Sequence, residues 1–492
     1  MSILIKNGTV YDGTGAPPQK TDVLLQETKI ARFGSFRRES ANVTIDATGA
    51  IVTPGFIEIG FDAEGPNGIL NPASAFSLLG KGITTVIGGN DGISFAPFSS
   101  KTGAAMREWG SMSPNVHWSS MKEFLAILEA KRLGVNFGTL VGGYTLRSMC
   151  GAQPGGDMTI QEIEAAKHHL TKSLLEGALG CSINMALPHS ETMPLSECIS
   201  LFKVIAEKKA VGVFHPRISD ENPVVPIEEA FVLARESNVN MELRHLQSLF
   251  IAEGYEDALQ LLDQEVESTN THFDVCPSPT ALLPLAAFLP RWFREGNMHA
   301  MTNTLKEKHA NNRLLAHFKK ITKQKGERMI IAEVPSSLNF LRHTTLSSFA
   351  VDRGVQLPRA LLLLMRLTGL RGSISYEGVR KAAFEHLLTH PRALVTLHNH
   401  TSEKEGHPVR MFFEWAEKKK MPLEKAIYKL TGLPAEKYRI EKRGVLKEGN
   451  HADLVILRDF KPETVFVNGA RAIEGGILKN ASAGRIVRAS HP

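Results

Sequence analysis

The polar residues best placed to do chemistry in this chain fall at the ends of short apolar runs. TTVIGG leads into Asn90-Asp91-Gly92, and GVF into His215-Pro216-Arg217. NMEL leads into Arg244-His245-Leu246-Gln247, and ALVTL into His398-Asn399-His400, while Asp274 and Cys276 lie within THFDVCPS. Two imidazoles and one carboxylate, His215, His245 and Asp91, make a three-ligand metal set with one position left for water. An ion held there lowers the pKa of that water and yields a nucleophile near neutral pH. His398 and His400 share one side if their strand continues, because strand side chains alternate with period two. They are then two further candidate ligands. Each residue also has an ordinary role available. A strand histidine can be a hydrogen-bonded core residue, Asp91 before Gly92 is a turn pairing, and His398-Asn399-His400 serves equally as the polar start of a loop. Cys276 reads as a small buried hydrophobe. Asp274, in an otherwise apolar strand, requires partners.

Eight elements must position these groups. The runs are residues 55–61, 84–89, 135–143, 177–185, 212–217, 240–247, 271–278 and 393–400. Continuous apolar runs suit strands covered on both faces of a parallel sheet. Segments such as TIQEIEAAKHHLTKSLLEG and PIEEAFVLARES separate them as helices, the first opening on a Thr159-x-x-Glu162 capping box. Eight strands alternating with helices predict an α/β chain built as a (β/α)₈ barrel, whose site lies at the strand C-termini. Residues 279–392 are too many for a loop and predict a helical insertion, or lid, before the last barrel strand. Both ends of the chain alternate as β-structure, with Asn-Gly turns at Asn7-Gly8 and Asn468-Gly469. A small β-sandwich domain from residues 1–54 and 432–492 is expected around a barrel of residues 55–431.

The chain has 492 residues, 42% hydrophobic, with 57 basic and 51 acidic residues and a net charge of +6. Spread over this size, that is not a nucleic-acid footprint. Short basic runs such as Lys418-Lys419-Lys420 read as solvated helix faces. Four scattered cysteines give no disulfide framework and suggest a reducing compartment. No leader pattern opens the chain and no apolar run reaches membrane-span length, so a cytoplasmic location is expected.

The motifs resemble the D-aminoacylases, also called N-acyl-D-amino-acid deacylases, of the amidohydrolase superfamily. The resemblance runs through IVTPGFIEIGFD, TTVIGGNDGISFAP, FGTLVGGYTLRSMCG, LLEGALGCSINMALP, VFHPRISDE, LRHLQS and the strand-seven block to the closing segment GHPVRMFFEWAEKKKMPLEKAIYKLTGLPAEKYRIEKRGVLKEGNHADLVIL. It implies a barrel with a β-sandwich and a lid, and zinc-assisted hydrolysis of the amide bond in N-acyl-D-amino acids. The implied ligands are a His-x-His on strand one, a cysteine after Gly-Asn on strand two, and one histidine each on strands five and six, with an aspartate ending strand eight as general base. Carried onto this chain, the strand-one histidines fall on Gly60 and Asp62, the cysteine on Asp91 and the base on Asn399. His215 and His245 match. Of the implied substrate contacts, a lysine falls on Gln247, a Tyr-Pro-Tyr on Cys276-Pro277-Ser278, and an arginine on Val409 beside Arg410. Arg217, ending strand five, is a further substrate-binding candidate.

Asn399 cannot accept a proton at neutral pH, and losing a general base typically costs about 10²–10⁴-fold in rate. Asp62 or Glu64 is the candidate substitute, and Asp91 replaces the cysteine with a harder oxygen ligand. Three roles follow: a divergent, pseudoenzyme-like member that binds a small molecule at the barrel mouth; a working C–N hydrolase with a relocated single zinc ion on Asp91, His215 and His245; or a partner subunit of an active relative, as homo-oligomer or heteromer.

Overall fold

The computed structural model describes residues 2–489 apart from 37–40, 66–67, 109–116, 153–155, 188–189, 219–221, 252, 295–297 and 398–406. Eight short strands run parallel in chain order. They are Phe56–Glu58, Ile83–Gly88, Asn136–Thr139 with its continuation Val141–Gly142, Gly180–Asn184, Val211–His215, Asn240–Leu243, His272–Val275 and Ala393–Val395. Each falls within or against one of the eight apolar runs, and their residues are buried almost throughout, as strands covered on both faces must be. The wall passes through Leu140. Residues 136–139 pair with the second strand, and residues 141–142 pair with the fourth.

The eighth and first strands are joined by a side chain. Glu58, 1% exposed, accepts the Leu397 N–H on Oε2 at 2.6 Å and the Gly60 N–H on Oε1 at 2.7 Å. Two donors aimed at one buried carboxylate complete the turn of the (β/α)₈ barrel. Its interior packs Ile57, Ile87, Leu140, Val213 and Leu394 into one cluster with Leu433, Tyr438 and Ile440, which follow the last barrel helices in sequence. The helix Ile160–Leu175 starts at the expected capping box: Glu162 N–H donates to Thr159 Oγ1, and Thr159 N–H to Glu162 Oε2.

The expected insertion is not helical alone. Beside helices such as Lys308–Lys325 and Leu357–Thr368 it carries an antiparallel three-stranded sheet, in the order Thr280–Pro284, Ser373–Glu377, Met329–Glu333. Each strand is only five residues long, and one ends in proline and another begins with serine, so none stands out as an apolar run. Their pairing partners lie 40 or more residues away, where no local pattern reports them.

The two ends of the chain form two further sheets. Strands Lys29–Gly34, Asp22–Gln26, Ser2–Lys6 and Val43–Asp46 make one. In the other, Ile51–Pro54 pairs with Leu454–Arg458, joining early and late residues in a seven-stranded sheet. Ile3, Val23, Leu25, Val52, Leu454 and Phe466 share the core between them. The Asn-Gly turns sit where expected, with Asn468 and Gly469 at φ 47° and 78° closing the hairpin of Lys461–Val467 and Ala470–Glu474, the signature of a type I′ turn. A buried polar knot ties this layer to the barrel. Asn136 Nδ2 donates to Asp453 Oδ2 at 3.1 Å, Asn468 Nδ2 to Asn136 Oδ1 at 2.8 Å, and Asn468 N–H to Asp453 Oδ1 at 2.7 Å, with Arg443 paired to Asp453. Among the described residues, no helix is long and apolar enough to cross a membrane.

Candidate metal centre

Asp91 leaves the second strand on a turn fixed by glycine. Gly89 has φ 72°, and a Cβ there would stand 2.3 Å from the Leu140 carbonyl oxygen, so only glycine fits. Gly92 follows at φ 77°, its N–H donating to Ser182 Oγ at 3.0 Å. Asn90 turns inward, with Nδ2 on the Ile87 carbonyl at 2.6 Å. Asp91 is left half-exposed into the mouth. The turn role and the ligand role are therefore compatible: the turn is what aims the carboxylate.

His215 ends the fifth strand and is 2% exposed. His245 follows the sixth, at φ 51°, a left-handed conformation costly for a non-glycine residue and typical of functional sites. It is held there by its own N–H, which donates to Asp274 Oδ1 at 2.7 Å, and by its carbonyl, which accepts Ser248 Oγ at 2.7 Å. Asp274 thus has the partners its buried position demands. The two imidazoles meet edge to face with centroids 4.8 Å apart. Ligand atoms of Asp91, His215 and His245 all lie within 4.8 Å of one another. His215 Nε2 stands 3.3 Å from Asp91 Oδ1, yet it is buried and makes no hydrogen bond among the described residues. Burial, with His245 and Arg244 adding positive charge, holds the His215 pKa well below the usual imidazole range. It is therefore neutral, the form that binds metals. An orphaned buried imidazole nitrogen facing a carboxylate and a second imidazole fits a divalent ion with nitrogen and oxygen ligands, zinc included.

The cavity above these groups has a volume of about 230 Å³. Asp62, Glu64, Glu333, Arg244 and Arg371 share its lining with the three candidate ligands. Asp62 is open to the cavity but enclosed by protein. Loss of bulk water, then the charges of Glu333 and Asp91, push its pKa up to about 7. Glu64 is more deeply buried; its Oε2 accepts the Gly89 N–H at 3.2 Å, and its Oε1 has no partner. Burial, followed by the Asp62 charge, raises its pKa well above the ordinary value.

Three expected substrate contacts lie elsewhere. Gln247 uses both ends of its amide on the backbone, with Nε2 on the Ser278 carbonyl at 2.9 Å and Oε1 accepting the Cys276 N–H at 2.6 Å. Arg217 pairs with Glu229 and donates to the Glu191 and Met193 carbonyls at 2.7 and 2.8 Å. Arg410 lies exposed on the helix Pro408–Lys418, paired with Glu414 one turn on at 2.6 Å. Each is bonded to protein groups and none lines that cavity, though Gln247 lines a smaller pocket beside it with His245 and Ser248. His398, Asn399 and His400 lie outside the described residues. Sequence alone gave no role to Arg244, Glu333 or Arg371. Arg371 and Glu333 come from the insertion, so nothing near the barrel motifs marks them. Arg244 does carry a signal, since an arginine between buried strand and ligand histidine needs buried acids, and Glu242 and Asp274 are there.

The chain's homologues and structural neighbours are D-aminoacylases and N-acyl-D-glutamate deacylases of the amidohydrolase superfamily. In particular, it is 25% identical over 474 residues to N-acyl-D-aspartate deacylase of Alcaligenes xylosoxydans xylosoxydans, covering 94% of this chain and 86% of that one. It is 26% identical over 243 residues to the D-aminoacylase of the same organism, a match that spans about half the length of either protein. Among solved structures, the N-acyl-D-glutamate deacylase of Bordetella bronchiseptica, complexed with zinc and a phosphonate mimic of the tetrahedral intermediate, superposes with a TM-score of 0.79 at 22% identity over 99% of each chain. A D-aminoacylase with a binuclear centre, activated by one metal and attenuated by a second, superposes at 0.78, also 22% identical over 99% of each. At that identity the likeness fixes the fold. No family model matches.

Proposed function

We propose that this protein is a single-metal hydrolase of the amide C–N bond in a small N-acylated compound, with Asp91, His215 and His245 as ligands. The observation that carries this reading is the convergence of the three ligand atoms within 4.8 Å, around a buried His215 Nε2 that makes no hydrogen bond among the described residues. Support comes from relatives named as deacylases of N-acyl-D-amino acids and from a D-aminoacylase that one metal activates.

The residues divide the work. His215, held neutral by burial, and His245 offer imidazole nitrogens, and Asp91 offers a carboxylate oxygen. A bound zinc ion supplies Lewis acidity, bringing the pKa of water toward neutrality. Asp62 faces the same cavity and is the group placed to hold a proton taken from water and pass it to the departing amine. Glu333 and Arg371, from the insertion, line the same cavity and bring one acidic and one basic group to it.

Elemental analysis of the purified full-length protein tests the reading. One equivalent of zinc, lost in His215→Ala and in His245→Ala, is expected. Assay against a panel of N-acyl-D-amino acids should then show amine release that Asp62→Ala lowers by about 10²–10⁴-fold. A protein with no affinity for zinc overturns it. A second reading, a barrel that binds its ligand without turnover, is favoured by Asn399 standing where the resemblance puts a proton acceptor. One equivalent of zinc with no hydrolysis of any panel member would select it.

A further inference from the structure

Gly60 ends the first strand's turn into the mouth, and the space beside it is filled from the sixth strand. A Cβ at position 60 would lie 3.0 Å from Arg244 Nη2, 3.3 Å from Nη1 and 3.0 Å from Glu58 Oε1. Neither neighbour is free to yield. Glu58 is the buried joint between the first and eighth strands. Arg244 is 1% exposed; its Nη1 donates to the Ile59 carbonyl at 2.7 Å and lies 3.7 Å from Glu242 Oε1, and its Nε lies 3.4 Å from Asp274 Oδ2. The guanidinium is therefore a fixed charge whose seat a side chain at residue 60 would crowd.

Its surroundings are those of a cation site. Glu242 and Asp274 are 0% and 3% exposed, and Glu242 has the Arg244 guanidinium and the Tyr438 hydroxyl beside it. Asp274, Glu242 and Asp91 all attract the Arg244 charge, and Glu58 feels it in turn. Three carboxylates, Glu58, Glu242 and Asp274, from the first, sixth and seventh strands, thus surround one guanidinium, which lines the same cavity as the candidate ion site. A cation at the centre of such a cluster stabilises the charged form of each buried carboxylate.

We propose that Arg244 is a resident second cation: seated over Gly60, it occupies the place a second divalent ion would take, so the barrel mouth accepts one ion only. This deepens the proposed single-metal site, but the claim about Arg244 stands on its own contacts. With Arg244 already seated between Glu242 and Asp274, a divalent ion on the same carboxylates would meet its fixed charge in a dry interior. Removing the guanidinium leaves a cavity lined by hard oxygen ligands, which suits manganese or magnesium better than a soft ion.

Metal counting on the full-length protein, stripped with chelator and titrated with manganese, tests this. We expect Arg244→Ala to take up one equivalent of manganese more than the wild type, and Arg244→Lys, which keeps the charge, to match the wild type. His215→Ala/Arg244→Ala should retain that extra equivalent. If Arg244→Ala does not fold in metal-free buffer, refolding restored by manganese supports the proposal and refolding that manganese does not restore overturns it. Equal counts in the wild type and Arg244→Ala overturn it, as does an extra ion in Arg244→Lys or a wild type that binds two. A wild type that binds none, beside an Arg244→Ala that binds one, removes the proposed catalytic ion and leaves the role of Arg244 intact.

Discussion

In the proposed single-metal site, Asp91 is the ligand that would set which metal the mouth prefers. Its carboxylate is a hard ligand beside two imidazoles, so discrimination between zinc and manganese is weaker than thiolate would give. Asp91→Cys should raise the preference for zinc over manganese by about 10-fold or more, read by competition between the two ions; an unchanged ratio would remove Asp91 from the ligand set. At the opposite end of the barrel, His272 shows burial acting on a single ring. It is 8% exposed, its Nδ1 has no partner, and burial with Lys437 and Arg392 nearby pushes its pKa from 6.5 down to about 2. The unfolded chain binds a proton that the folded one refuses. Stability from this residue is therefore whole above about pH 6.5 and falls below it, by about 1.4 kcal/mol per pH unit for one proton. Urea unfolding between pH 7 and 5 should show a shallower slope in His272→Asn than in the wild type. At this scale the sequence was readable wherever chemistry and strand end coincide, as at Asp91, His215 and His245. It was not readable where a charge is balanced from afar. Arg244 answers to Glu58, Glu242 and Asp274 together, and no spacing along the chain announces that three strands will bring them to one point.

Among the elements, the eight barrel strands were legible because burial on both faces writes an unbroken apolar run into each. The insertion's sheet was not, because strands of five residues with mixed exposure carry no periodic signal of their own. The joint between the first and eighth strands is the element-scale feature most open to measurement. Glu58→Ala would strand the N–H groups of Gly60 and Leu397 inside the wall, and two unpaired buried donors cost about 2–5 kcal/mol. Glu58→Gln keeps one acceptor oxygen and should lose roughly half as much. Denaturant melts of the two variants check the order, and equal losses would mean that the carboxylate's charge, rather than its two acceptors, holds the joint.

For the whole molecule, ion binding and folding are coupled, since the three candidate ligands come from three strand ends that only the closed barrel brings together. Zinc at about 100 times its dissociation constant should stabilise the fold by about 2.7 kcal/mol. Thermal melts with and without chelator should differ in the wild type and coincide in His215→Ala; a chelator effect that survives that substitution would place the stabilising ion elsewhere. The β-layer at the chain's two ends was legible from its Asn-Gly turns, but its attachment to the barrel was not. Asn136, in the third barrel strand, reads as one polar residue in an apolar run until Asp453 and Asn468 are seen to bond it.

That knot has a bearing on how the protein is made. Asn136 emerges from the ribosome more than 300 residues before Asn468, and until then its amide has Thr84 and Thr85 to donate to but lacks Asp453 and Asn468. A barrel begun early must wait, incompletely satisfied, for the closing hairpin to arrive. Stalled or shortened chains ending before residue 453 should accordingly be the ones that chaperones hold and proteases clear.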